Sequence, residues 1–134
     1  MTVVNVININ NPFLDQKPGT SGLRKSTLRF QEDHYLEIFI EAIFTSLKNL
    51  QGSTLIVGGD GRYGNIAAIQ KIIQICVAHQ VGKVIIPKNG LLSTPATSHL
   101  IRKEKAIGGI ILSASHNPGG IDGDFGVKLS LIHI

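Results

Sequence analysis

Apolar residues recur in two rhythms along this chain. Tyr35, Ile38, Phe39, Ala42 and Ile43 fall at the offsets of one helical face, which predicts a helix over 33–50 with Asp33 as its cap. Gln51, Gly52 and Ser53 break that pattern, and the continuous apolar run at 54–57 predicts a short buried strand. A second helical stripe follows the glycines at 58–61, with Ile66, Ile69, Ile73, Cys76 and Val77 on one side and Gly82 closing the helix. Residues 83–86 read as the next strand, stopped by Pro87. Thr94 and Pro95 read as a cap and first position of a third helix ending near Lys105. Residues 106–112 form another apolar strand, and a glycine-rich loop at 113–126 leads to a last short strand around 127–129.

Strands separated by helices predict an α/β fold, with a mixed, mostly parallel sheet between helices. Ligands of such sheets bind beyond the carboxyl ends of the strands. The loops after Val57, Ile86 and Leu112 are therefore the places to look for chemistry.

Composition narrows the function without changing that outline. With 134 residues, 43% hydrophobic and 16% charged, the chain suits one folded domain and not a disordered segment. Cys76 is the single cysteine, which excludes a disulfide framework and a cysteine-rich zinc site. No apolar run reaches the roughly 18–20 residues of a membrane span. No cationic stretch precedes an apolar one near Met1, so no secretory signal is expected and a cytoplasmic location without a membrane partner is. The net charge of +4 raises the question of nucleic acid. The bases are dispersed, however, and Glu104 interrupts the tightest group, Arg102, Lys103 and Lys105. With 5% aromatics and no Trp, stacking surfaces are scarce, so no nucleic-acid partner is expected.

Three glycine-rich segments carry candidate chemistry. Residues 59–64 match the G-x-G-x-x-G dinucleotide pattern, but an acid should end the next strand, where Pro87 and Lys88 stand instead. This segment is read as a helix start that can turn the chain or meet an anion. The second segment, 113–120, holds Ser115 as a candidate nucleophile on a rigid strand end, with His116 beside it as donor or proton handler. Gly119 and Gly120 let backbone N–H groups approach a phosphate, and Lys128 follows as a cation or base. The segment is neither a Walker A loop nor the G-x-S-x-G of a hydrolase. The third, 17–24, offers Thr20 and Ser21 as neutral donors, Gly22 as a turn and Arg24 as a bidentate phosphate partner.

Together these segments resemble a known family. Asp-Gln-Lys-Pro-Gly-Thr-Ser-Gly-Leu-Arg at 15–24, Val-Gly-Gly-Asp-Gly-Arg at 57–62, Asn-Gly-Leu-Leu-Ser-Thr-Pro-Ala at 89–96 and Ile-Leu-Ser-Ala-Ser-His-Asn-Pro-Gly-Gly at 111–120 are similar to the glucose-1,6-bisphosphate-dependent phosphoglucomutases of the alpha-D-phosphohexomutase superfamily. The resemblance implies interconversion of glucose 1-phosphate and glucose 6-phosphate through a phosphoserine, with Mg2+ and glucose 1,6-bisphosphate as cofactors and hexose phosphates as partners. It implies Ser115 as the phosphoryl carrier and metal-facing residue through its phosphoryl group. It implies His116 and Lys128 in proton handling and charge stabilisation, and Thr20, Ser21, Gly22, Arg24 and Asn117 in phosphate binding.

Such enzymes have four domains, so residues 1–134 are expected to be an incomplete first domain, inactive alone, with the other metal ligands beyond it. Residues 129–134 leave the family pattern and are read as a truncation scar. Two other readings stay open: a non-catalytic, cytoskeleton-associated relative used as an interaction module, and a mutase acting on another hexose phosphate.

Overall fold

The computed structural model describes residues 4, 6–9, 12–18 and 22–131. Five strands form one sheet: β1 (Leu23–Ser26), β2 (Thr54–Gly59), β3 (Lys83–Ile85), β4 (Gly108–Leu112) and β5 (Asp124–Leu131). Their spatial order is β1-β5-β4-β2-β3. The sheet is mixed, as expected, but the parallel share is smaller. β2 pairs in parallel with β3 and β4, whereas β5 runs antiparallel to both β4 and β1.

Among the described residues four α-helices flank the sheet: α1 (Thr27–Phe30), α2 (Tyr35–Ser46), α3 (Asn65–Ala78) and α4 (Thr94–Lys103). One face of the sheet, carrying Leu23, Leu55, Val57, Ile110, Leu112 and Val127, packs under α1, α2 and α3 into the main core. The opposite face presents Ile56 to Leu92, Ile101 and Ala106 beneath α4. Strand alternation separates these sets, because successive side chains point to opposite faces.

Several local expectations are corrected. Asp33 is exposed and does not cap α2; His34 fills the N-cap position in a left-handed conformation at φ 63, without a side-chain bond. The helix stops at Ser46, and Asn49 at φ 63 turns the chain before Leu50 returns to the core. The buried stripe of α2 is Tyr35, Leu36, Phe39, Ile40 and Phe44, with Ala42 exposed. In α3 the buried side is Asn65, Ala68, Ile69, Ile72 and Cys76, while Ile66 and Val77 face outward. Both misreadings have one cause: apolar residues on these helices exceed one face, so spacing alone does not choose which stripe meets the sheet. Gln80 at φ 60, not Gly82, makes the left-handed turn after α3. Ser93, one residue before the expected cap, accepts from the Ala96 amide and starts α4, which ends at Lys103.

The terminal strand is longer than expected. Leu129, Ser130 and Leu131 extend β5 and oppose Ile110, Gly109 and Gly108 of β4. Residues 132–134 lie outside the described residues.

Candidate active site

Strand order explains why distant segments meet. From β2 the chain passes through α3 to β3 on one side, then through α4 to β4 on the other side of β2. Adjacent parallel strands whose connections leave in opposite directions open a crevice at their carboxyl ends. β2 and β4 are in register there, Gly59 opposite Leu112. The loops after them, around Asp60 and Ser113, therefore lie side by side. The Asp60 amide donates to the Leu112 carbonyl at 3.1 Å.

Ser115 stands exposed in the second of these loops, with its backbone at φ 53. A left-handed serine is uncommon, and such strain is worth tracing to its supports. Its amide donates to Ser113 Oγ at 3.1 Å, and Ser113 Oγ donates to Asp60 Oδ2 at 3.0 Å. Beneath the loop, Arg62 donates from Nη2 to the Ser115 carbonyl at 3.2 Å and from Nη1 to the Asn117 and Asp124 carbonyls at 3.2 and 3.0 Å. Asp60 engages the same guanidinium at Nε and Nη2, the latter at 2.8 Å. Burial pushes the Asp60 carboxyl up, but hydrogen bonds from Arg62 and Ser113 and the Arg62 charge outweigh it and hold the group below the usual carboxylate range.

The serine hydroxyl faces a second guanidinium. Arg24 Nη2 donates to Ser115 Oγ at 2.8 Å, although 91 residues separate the pair in sequence. Arg24 lies on β1 opposite Gly126 of β5 and passes over it. A Cβ on Gly126 would stand 2.3 Å from the Ser113 carbonyl and 3.2 Å from Arg24 Cγ, so only glycine leaves room for this crossing. Lys128 is two positions further along β5, opposite Ile111. Alternation puts it on the face that carries Arg24, because Leu23 and Val127 both enter the main core.

The base of the 17–22 segment is held on both sides. Asp15 forms a two-point ion pair with Arg29, both contacts at 3.0 Å, and the Arg29 guanidinium lies over the Phe13 and Tyr35 rings. Hydrogen bonding to Arg29 is the main reason the Asp15 carboxyl is held below its ordinary range. At the other side Gly22, at φ 87, sits where a Cβ would meet the Val127 carbonyl at 2.2 Å. Its observed role is therefore a close backbone crossing. Thr20 and Ser21 lie outside the described residues. His116 and Asn117 are exposed beside Ser115, and the Asn117 amide closes a turn onto the Ala114 carbonyl at 3.0 Å.

Ser115, Arg24 and the backbone of Asn117 are thus brought together, with Lys128 on the same sheet face as Arg24. Asp60, Arg62 and Ser113 belong to the site without having been singled out from sequence. The signal for Asp60 and Arg62 was the segment 59–64, read as a helix start that can turn the chain or meet an anion, and that for Ser113 was the segment 113–120. The acid and base of the first support the serine loop. A cleft of about 380 Å³ opens on the far side of Arg62, lined by Gln31, Tyr63, Asn65, Asn89 and Leu91 among others, and Ser115 does not contribute to it. Among the described residues no three His, Cys, Asp or Glu side chains converge as metal ligands. Ser115 Oγ also faces a cation, so these residues by themselves do not fit a magnesium site.

Comparison with known proteins gives the family. Residues 15–131 match the family described as phosphoglucomutase/phosphomannomutase, alpha/beta/alpha domain I. The chain belongs to that family. The Emericella nidulans phosphoglucomutase is 58% identical over 121 residues, covering 90% of this chain and 22% of that protein. Phosphoglucomutase-1 of Dictyostelium discoideum is 53% identical over 130 residues, 96% of this chain and 23% of its own length. The open form of the Paramecium exocytosis-sensitive phosphoprotein parafusin, a phosphoglucomutase, superposes with a TM-score of 0.89 at 47% identity, over 92% of this chain and 23% of that one. The chain therefore spans between a fifth and a quarter of these family members. The family match runs through Leu131.

Proposed function

We propose that this chain is the phosphoserine-bearing domain of a phosphoglucomutase, which as a whole protein interconverts glucose 1-phosphate and glucose 6-phosphate through glucose 1,6-bisphosphate. The observation that carries the reading is the exposed, left-handed Ser115 with Arg24 hydrogen-bonded to its Oγ. Kinship with named phosphoglucomutases supports the substrate.

In the proposed step, phospho-Ser115 meets the free hydroxyl of the sugar monophosphate. The bond from phosphorus to Oγ breaks, a bond to the sugar oxygen forms, and the sugar hydroxyl gives up its proton. His116 and Lys128 are the candidate acceptors. Oγ keeps the electron pair, and the Arg24 hydrogen bond stabilises the charge that gathers there. Phosphoryl transfer relies on such positioning and charge stabilisation more than on covalent chemistry. The bisphosphate then returns its other phosphoryl to Ser115. Thr20, Ser21, Gly22, Arg24 and Asn117 are assigned to holding phosphate. Magnesium, when bound, would be held through the phosphoryl group on Ser115 and by ligands from outside the residues described, and would offset phosphoryl charge. We assign the protein to the cytoplasm on family grounds; among the described residues no helix is long and apolar enough to cross a membrane.

The test is a chimera in which residues 15–131 replace the matching segment of the Dictyostelium enzyme. It should convert glucose 1-phosphate in the presence of magnesium and glucose 1,6-bisphosphate, and carry a phosphoryl group on Ser115 by mass spectrometry. Ser115→Ala should abolish both. Turnover that survives Ser115→Ala would sink the assignment.

A further inference from the structure

Ser115 occupies a backbone conformation that an L-residue does not choose unaided. Arg62 holds this loop at several points. Its Nη2 reaches the Ser115 carbonyl, its Nη1 reaches those of Asn117 and Asp124, and Asp60 takes Nε and the remaining Nη2 hydrogen. Every N–H of the guanidinium then has an acceptor, and none is left for a phosphate oxygen. The side chain is 8% exposed, and Asp60 neutralises its charge.

We propose that Arg62 is a positioning residue for Ser115 and not a ligand of the substrate phosphate. Resting on the reading of Ser115 as phosphoryl carrier, this divides two neighbouring arginines by task. Arg24 points a guanidinium at the reacting oxygen, whereas Arg62 fixes the backbone that follows that residue. Its three carbonyl acceptors include one on β5, so the loop is tied to the sheet at the point where Asp124 enters the strand. Asp60 holds the guanidinium from below and, through Ser113 Oγ, also orients the group that accepts from the Ser115 amide. The same carboxylate therefore fixes the peptide units before and after Ser115.

Nuclear magnetic resonance on the 134-residue chain tests this directly. In Arg62→Gln the Ser115 carbon-13 α and β shifts, which report backbone angles, should leave left-handed values. Exchange of the Asn117 and Asp124 amides should quicken about tenfold or more, while amides of β2 and β4 keep their protection. If Arg62→Gln fails to fold, the same shifts are read in Arg62→Lys, which keeps a cation for Asp60 but cannot span three carbonyls. Unchanged Ser115 shifts would overturn the proposal, as would faster exchange spread evenly over β2 and β4. In the active chimera, Arg62→Gln should lower kcat with KM kept within about twofold. A raised KM with kcat kept would make Arg62 a substrate ligand and overturn the proposal. The resonance readouts do not depend on turnover, so a failed mutase assay would bear on Ser115 chemistry and leave the assignment of Arg62 to be judged by the shifts.

Discussion

Single positions in this domain are constrained by backbone proximity and charge as much as by chemistry. Gly22 is the sharpest steric case. An alanine there would need φ near 87 and would put Cβ 2.2 Å from the Val127 carbonyl. The left-handed penalty alone is about 1–2 kcal/mol, and displacing β5 adds to it. Gly22→Ala should therefore lose at least about 2 kcal/mol in urea denaturation; a loss of a few tenths would mean that the crossing can relax. Asp60 makes an electrostatic prediction. Its carboxyl is depressed in the folded state, so its contribution is present above the unfolded value near ~4 and lost as pH falls through the lower folded value. Asp60→Asn should lower the melting temperature at pH 7 and flatten its decline below about pH 4. An equally steep acid decline in the variant would show that other carboxylates, Asp15 among them, carry that dependence.

Among the elements, β2 and β4 matter most, because their parallel register aligns two loops that are far apart in sequence. α4 is a more self-contained unit. Ser93 caps it through the Ala96 amide, and the buried Thr97 hydroxyl donates back to the Ser93 carbonyl at 2.8 Å. Ser93→Ala should cost about 1 kcal/mol by denaturant titration, with the folded structure unchanged. A neutral result would show that the proline at the helix start and the Thr97 bond suffice. α1 is tied to the loop after Gly120 by the Thr27 amide, which donates to the Gly123 carbonyl at 2.9 Å. The helix and the Ser115 loop are thus joined by the same short stretch of backbone.

At the scale of the molecule, the domain gathers Ser115, Arg24, Asp60 and Arg62 at one end of the sheet. Much of this was legible in sequence. Alternation of apolar runs with helical stripes determined the α/β class and the presence of β2, β3, β4, α2, α3 and α4, because burial on a strand or helix is a local, periodic property. The glycine-rich segments and their hydroxyls and bases marked Ser115, Arg24 and Lys128, because special backbone and reactive groups are written in residue type. Tertiary structure alone decided which helical stripe faces the sheet, that β5 runs antiparallel through residues once expected to be a tail, and that Asp60 and Arg62 lie under the Ser115 loop. Those outcomes depend on strand order and register, which join Arg62 to Ser115 across 53 residues and Arg24 to Ser115 across 91. A local pattern carries no record of which distant backbone will stand beside it, so the candidate serine was readable from the chain and the support that shapes its backbone was not.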